Sequence, residues 1–165
     1  MERKYLTKLI QWKEKNNRKP LIIKGARQVG KTWLMKEFAQ KEFDKWVYIN
    51  FEDNELAKRV FEKDFDIQRI ILQLSIATQT TIDKETLIIF DELQEAPRGV
   101  TALKYFQEKA PEYYIIAAGS LLGITLHQGT SFPVGKVDFL ELYPLSFIEF
   151  LLANGERLLA NLIEE

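Results

Sequence analysis

The chain has 165 residues, 46% of them hydrophobic and 28% charged, with a formal net charge of −1. This excludes disordered, collagen-like and coiled-coil classes, and the length suits one ordinary domain burying roughly 70% of its unfolded surface. With no cysteine and one histidine, His127, disulfide, thiolate-zinc and imidazole-rich metal sites are excluded, and a reducing, cytoplasmic setting is expected.

Taken in chain order, Leu6, Leu9, Ile10 and Trp12 fall on one helical face over residues 3–15, a lead-in helix within the first 19 residues that Asn16, Asn17 and Pro20 end. Charges at Glu2, Arg3, Lys4 and Lys8 leave no signal-peptide core there. Leu21-Ile22-Ile23 is a short apolar run before a glycine, as in a parallel strand buried on both faces. Leu34 and Phe38 share a face of a helix begun near Thr32. A second strand is expected over residues 46–51 (WVYINF), a helix around Ile67, Ile70, Ile71 and Leu74, and a third strand over 86–90 (TLIIF). A helix carrying Leu103 and Phe106 and ended before Pro111 leads into a fourth strand over 113–118 (YYIIAA).

Residues 113–135 carry no formal charge, but Gly119, Gly123, Gly129 and Pro133 break them into a buried strand and a loop, so no membrane span is expected. A fifth strand is expected near residues 134–140, and Ser146 with Glu149 reads as a capping box opening C-terminal helices over 144–165. Strands alternating with helices define a doubly wound α/β sheet covered on both sides.

Charge is uneven: residues 1–45 sum to +8 and the remainder to −9. A lysine-rich helix surface is ordinarily a solvated one, and neither half suggests a broad nucleic-acid footprint.

After the first strand stands Gly25-Ala26-Arg27-Gln28-Val29-Gly30-Lys31-Thr32, a complete GxxxxGKT. Its glycines let successive N–H groups turn inward and the following helix adds its positive dipole end, a cradle for polyphosphate. Lys31 supplies a charge for the β- and γ-phosphates, and the Thr32 hydroxyl is a magnesium ligand. The third strand runs into Asp91 and Glu92, where a carboxylate sits at the strand edge at which ligands gather. Asp91 is thus a candidate to hold magnesium and Glu92 to polarise the attacking water. Ser120, just past the fourth strand, would lie near the γ-phosphate if that strand runs between the first and third. Glu52 ranks lower because its strand is expected at the sheet edge. His127 receives no role. Arg27, Arg98 and Lys136 are candidates for a charge completing the site, from this chain or a neighbour, with Arg98, just after the acidic strand end, and Lys136 preferred.

The segments RKPLIIKGARQVGKTWLMKEF, TLIIFDELQEAP, YYIIAAGSLLGI and FPVGKVDFLELYPLSFIEFL together resemble the AAA-type ATPase domain of a large group of prokaryotic ATP-binding proteins. The resemblance implies a three-layer αβα P-loop NTPase sandwich of the additional-strand type with strand order 5-1-4-3-2. It also implies ATP and Mg2+ as ligands, Glu92 as catalytic base and Ser120 at the sensor position. Such proteins continue into a C-terminal domain of unknown function, so the 165 residues read as the ATPase module alone.

Leu158, Leu159, Leu162 and Ile163 form an apolar stripe for that domain or a second copy to cover. The leading expectation is an Mg-dependent ATP-binding module with slow hydrolysis. The alternative is a nucleotide-operated switch or scaffold with little turnover. A nucleotide kinase would need an arginine-rich lid and a GTPase an NKxD signature, and neither is evident.

Overall fold

The computed structural model describes residues 2–25, 30–119 and 135–143, with Gly155, Leu158, Asn161 and Leu162. In chain order the elements are α1 (Glu2–Glu14), β1 (Leu21–Lys24), α2 (Lys31–Glu42), β2 (Trp46–Asn50), α3 (Glu55–Lys58) and α4 (Ile67–Thr78). There follow β3 (Leu87–Asp91), a 3-10 turn (Leu93–Glu95), α5 (Gly99–Lys109), β4 (Tyr114–Ala118) and β5 (Asp138–Glu141).

The five strands form one parallel sheet in the order β2-β3-β4-β1-β5, which is the expected order read from the other edge. Because both faces are covered, successive residues of a strand alternate between two apolar layers instead of between core and water. Leu21 and Ile23 of β1, with Leu87, Ile89 and Ile116, pack against Leu6, Leu9 and Trp12 of α1 and Leu34, Met35 and Phe38 of α2. Ile22, Ile88, Phe90 and Ile115 point the other way, onto Ile70, Ile71 and Leu74 of α4 and Leu103 and Phe106 of α5. Each such fully buried side chain contributes roughly 1.5–3 kcal/mol. The Trp12 indole N–H donates to the Lys19 carbonyl at 2.7 Å, tying the loop after α1 to the helix.

The boundaries depart from the sequence reading in physically instructive places. The fifth strand begins at Asp138, later than residue 134, because its ladder is set by β1: Leu21 pairs with Asp138 and Lys24 with Glu141. β3 extends through Asp91, which pairs with Asn50 of β2, so the acidic residue belongs to the strand and is 3% exposed. The one-turn helix α3 comes from a local cap, the Asn54 side chain accepting from the Ala57 N–H, where no periodicity announces it. Leu158 and Leu162 are 81% and 68% exposed, while Leu159, Ile163, Ser146 and Glu149 lie outside the described residues. No helix among the described residues is long and apolar enough to cross a membrane.

With β4 between β1 and β3, the carboxyl ends of the three central strands lie side by side. Gly25, Asp91 and Gly119 therefore come to one edge of the sheet, where open α/β folds collect ligands.

Candidate functional site

Gly30 stands at φ 91°, ψ 23°, a left-handed conformation that glycine adopts without steric cost, and α2 starts immediately after it. Among the described residues no side chain caps that helix start, and its first turn holds no acidic residue, so its positive end favours an anion. Lys31 is buried, and its ammonium donates to the Gly25 carbonyl at 2.8 Å, spanning the mouth of the loop. Burial lowers its pKa, and the charges of Glu92 and Asp91 push it back up. An ammonium bonded to a backbone carbonyl in the field of two carboxylates suits the replacement of that carbonyl by a phosphate oxygen. Ala26, Arg27, Gln28 and Val29 lie outside the described residues.

Opposite the lysine, Asp91 is buried at the end of β3 and gathers three donors. Thr32 Oγ1 donates to its Oδ2 at 2.5 Å, the Tyr48 hydroxyl to the same oxygen at 2.6 Å, and the Glu92 N–H to Oδ1 at 2.9 Å. These bonds make a desolvated carboxylate tolerable. The Tyr48 pKa is raised, first by burial and then by this bond to Asp91. Its ring also carries the Lys36 ammonium 4.1 Å from the centroid.

Glu92 stands at φ 51°, ψ 45°, an uncommon conformation for a residue with a side chain and one that accumulates at working sites. The Gln94 amide donates to Glu92 Oε2 at 2.5 Å, which fixes that carboxylate, while the Glu92 N–H bonds Asp91. Among the described residues no group of three or more histidines or carboxylates could enclose a metal ion. The local donor set is one hydroxyl and one carboxylate that touch each other, which fits magnesium, an ion that keeps most of its waters and takes its other ligands from substrate phosphates.

The structure brings together Gly25, Gly30, Lys31, Thr32, Asp91 and Glu92 of the residues singled out from sequence. Ser120 and His127 lie outside the described residues. Two candidate completing charges are engaged elsewhere. The Arg98 guanidinium donates to the Glu62 carbonyl at 3.0 Å and covers the Phe65 ring, and Lys136 pairs with Glu108 at 3.8 Å. Glu52 is exposed in the turn after β2, which is an edge strand as expected. Tyr48 and Gln94 were missed, since each acts only through a bond to a recognised residue.

A Gly-Lys-Thr loop between the first parallel strand and its helix, facing an acidic strand end two positions across the sheet, defines a P-loop NTPase fold. A family model described as an AAA domain matches residues 17–151, and the chain belongs to that family. It is similar to an uncharacterized protein of Methanocaldococcus jannaschii, 28% identical over 131 residues, covering 79% of this chain and 27% of that protein. Among solved structures it resembles the Aeropyrum pernix ORC1 protein in complex with DNA. The TM-score is 0.57 at 16% identity, over 93% of this chain and 48% of the other. At that identity the likeness concerns the fold. The chain thus spans about a quarter of the curated relative and about half of the solved one.

Proposed function

We propose that this module binds ATP with Mg2+ and hydrolyses it slowly. The observation that carries the reading is the 2.5 Å bond between Thr32 and Asp91, which unites the loop that would hold phosphates with the acidic strand end. The backbone amides of residues 25–32 cradle the phosphates, Lys31 neutralises their charge, and Thr32 with Asp91 holds the metal. Bound there, magnesium would supply further charge neutralisation to the phosphate oxygens. Glu92 orients the attacking water and accepts its proton, and Ser120 monitors the γ-phosphate. Slow turnover is expected because an arginine finger is worth about 10³–10⁵ in rate, and among the described residues Arg98 is already committed to Glu62 and Phe65.

Titration with a fluorescent ATP analogue in magnesium tests the binding. Lys31→Ala should weaken affinity at least about tenfold, as expected when a buried cation leaves a phosphate site. Equal affinity for both proteins would remove the assignment. In the same samples Glu92→Gln should retain binding and lose phosphate release, and undiminished release would dismiss Glu92 as the base. Binding by the wild type without repeated turnovers would instead identify a nucleotide-operated switch.

A further inference from the structure

Tyr48 lies on the edge strand, two residues before the end of β2, and belongs to none of the motifs. Its hydroxyl donates at 2.6 Å to Asp91 Oδ2, the oxygen that already receives the Thr32 hydroxyl at 2.5 Å. A carboxylate oxygen offers about two lone-pair directions, so Oδ2 is filled. Oδ1 accepts only the Glu92 N–H, at 2.9 Å, among the bonds described, and keeps one direction open. The Lys36 ammonium of α2, one helical turn beyond Thr32, lies over the phenol ring 4.1 Å from its centroid. Tyr48 therefore ties α2, β2 and β3 together at the one carboxylate expected to meet a cation.

We infer that Tyr48 is a positioning residue for Asp91. By occupying Oδ2 together with Thr32, it fixes the carboxylate plane and presents Oδ1 to the water shell of a divalent cation. This rests on the nucleotide–magnesium reading above and adds a determinant of metal coupling that the loop motif does not contain. Phenylalanine at this position would fill the same space, while leaving Oδ2 one open direction and the carboxylate freer to turn. Outer partners of metal-binding groups typically matter by about 10- to 100-fold in metal affinity.

The test compares fluorescent ADP binding in EDTA and in saturating magnesium, the coupling being the ratio of the two affinities. Tyr48→Phe should bind ADP in EDTA within about twofold of wild type and lose about tenfold of the magnesium-conferred gain. Replacing Tyr48 by 4-aminophenylalanine, which keeps a donor at the para position, should recover most of that gain. The inference is overturned if Tyr48→Phe keeps the full gain, or if its affinity falls equally with and without metal. It is also overturned if the para donor restores nothing, or if Tyr48→Phe fails to melt cooperatively without nucleotide, because the hydroxyl would then be a structural contact. A wild-type protein that shows no magnesium gain would instead overturn the nucleotide–magnesium reading itself, a result visible without any variant.

Discussion

Lys31 and Asp91 are opposite charges, each largely removed from water, and the residues around them share the work of making that tolerable. Such a pair is weak evidence for stability, since desolvating the two ions offsets their attraction. On the proposed function, a polyphosphate and a cation would compensate these buried charges. Charge at the surface behaves differently. Asp83 accepts from the Lys45 ammonium at 2.8 Å, the Glu85 N–H at 2.9 Å and the Thr86 hydroxyl at 3.0 Å, and its pKa is held down at about 2. The Lys45 bond is the largest cause. A carboxyl whose folded pKa is depressed contributes stability that is complete above its unfolded value, about 3.9, and is lost as pH falls through the folded one. Asp83→Asn should therefore lower the urea midpoint at pH 6, with the gap from wild type narrowing between pH 4 and pH 2. Both partners are partly exposed, so added salt should shrink the gap as well. A gap that widened on acidification would contradict the assignment.

Helix α4 shows how much of an element can rest on its ends. Its apolar face, Ile67, Ile70, Ile71 and Leu74, is buried against the sheet, but the start is fixed by Asp66, whose side chain accepts the Gln68 and Arg69 N–H groups at 3.1 and 3.4 Å. Asp66→Ala should cost about 1 kcal/mol in urea unfolding and Asp66→Asn much less, since asparagine also accepts at a helix start. Equal losses would assign the effect to charge instead of capping. The apolar face of α4 was readable in the sequence because helical spacing is a local property, and so were the central strands, as apolar runs of three to six residues. The Gly-Lys-Thr loop and the Asp91–Glu92 pair were readable for the same reason, each being contiguous in the chain. What could not be read depends on pairing across distance. Tyr48 looks like any alternate residue of a strand until β2 is laid beside β3, which sets its hydroxyl against a carboxylate 43 positions away. Arg98 looked available until packing placed it over Phe65. The start of β5 follows β1, not its own apolar residues, and Val137, just before it, turns to the core layer opposite that of Leu140.

At the scale of the whole molecule, the sheet is shared property: β1, β2, β3 and β4 each contribute residues to both apolar layers, so damage on one face has to be felt on the other. Phe90 sits at the centre of the α4/α5 layer, with ring centroids 5.3 Å from Phe51, 5.9 Å from Phe61 and 6.5 Å from Phe106, and it has no exposure to water. Emptying that position should cost roughly 3–5 kcal/mol, the range for a buried phenylalanine cut to alanine. The tryptophans report from elsewhere: Trp12 is buried in the α1/α2 layer, Trp46 packs against the same layer, and Trp33 lies on α2. If the two layers melt as one unit, Phe90→Ala should shift the tryptophan fluorescence transition and the far-ultraviolet circular dichroism transition to the same lower urea concentration, with unchanged steepness. Fluorescence that kept its wild-type midpoint while the dichroism moved would mean that the α1/α2 layer, which carries the phosphate loop, holds together without the other. Coincidence is the expected result, because Phe90 and Ile89 are neighbours on one strand facing opposite layers, and the next residue in the chain is Asp91.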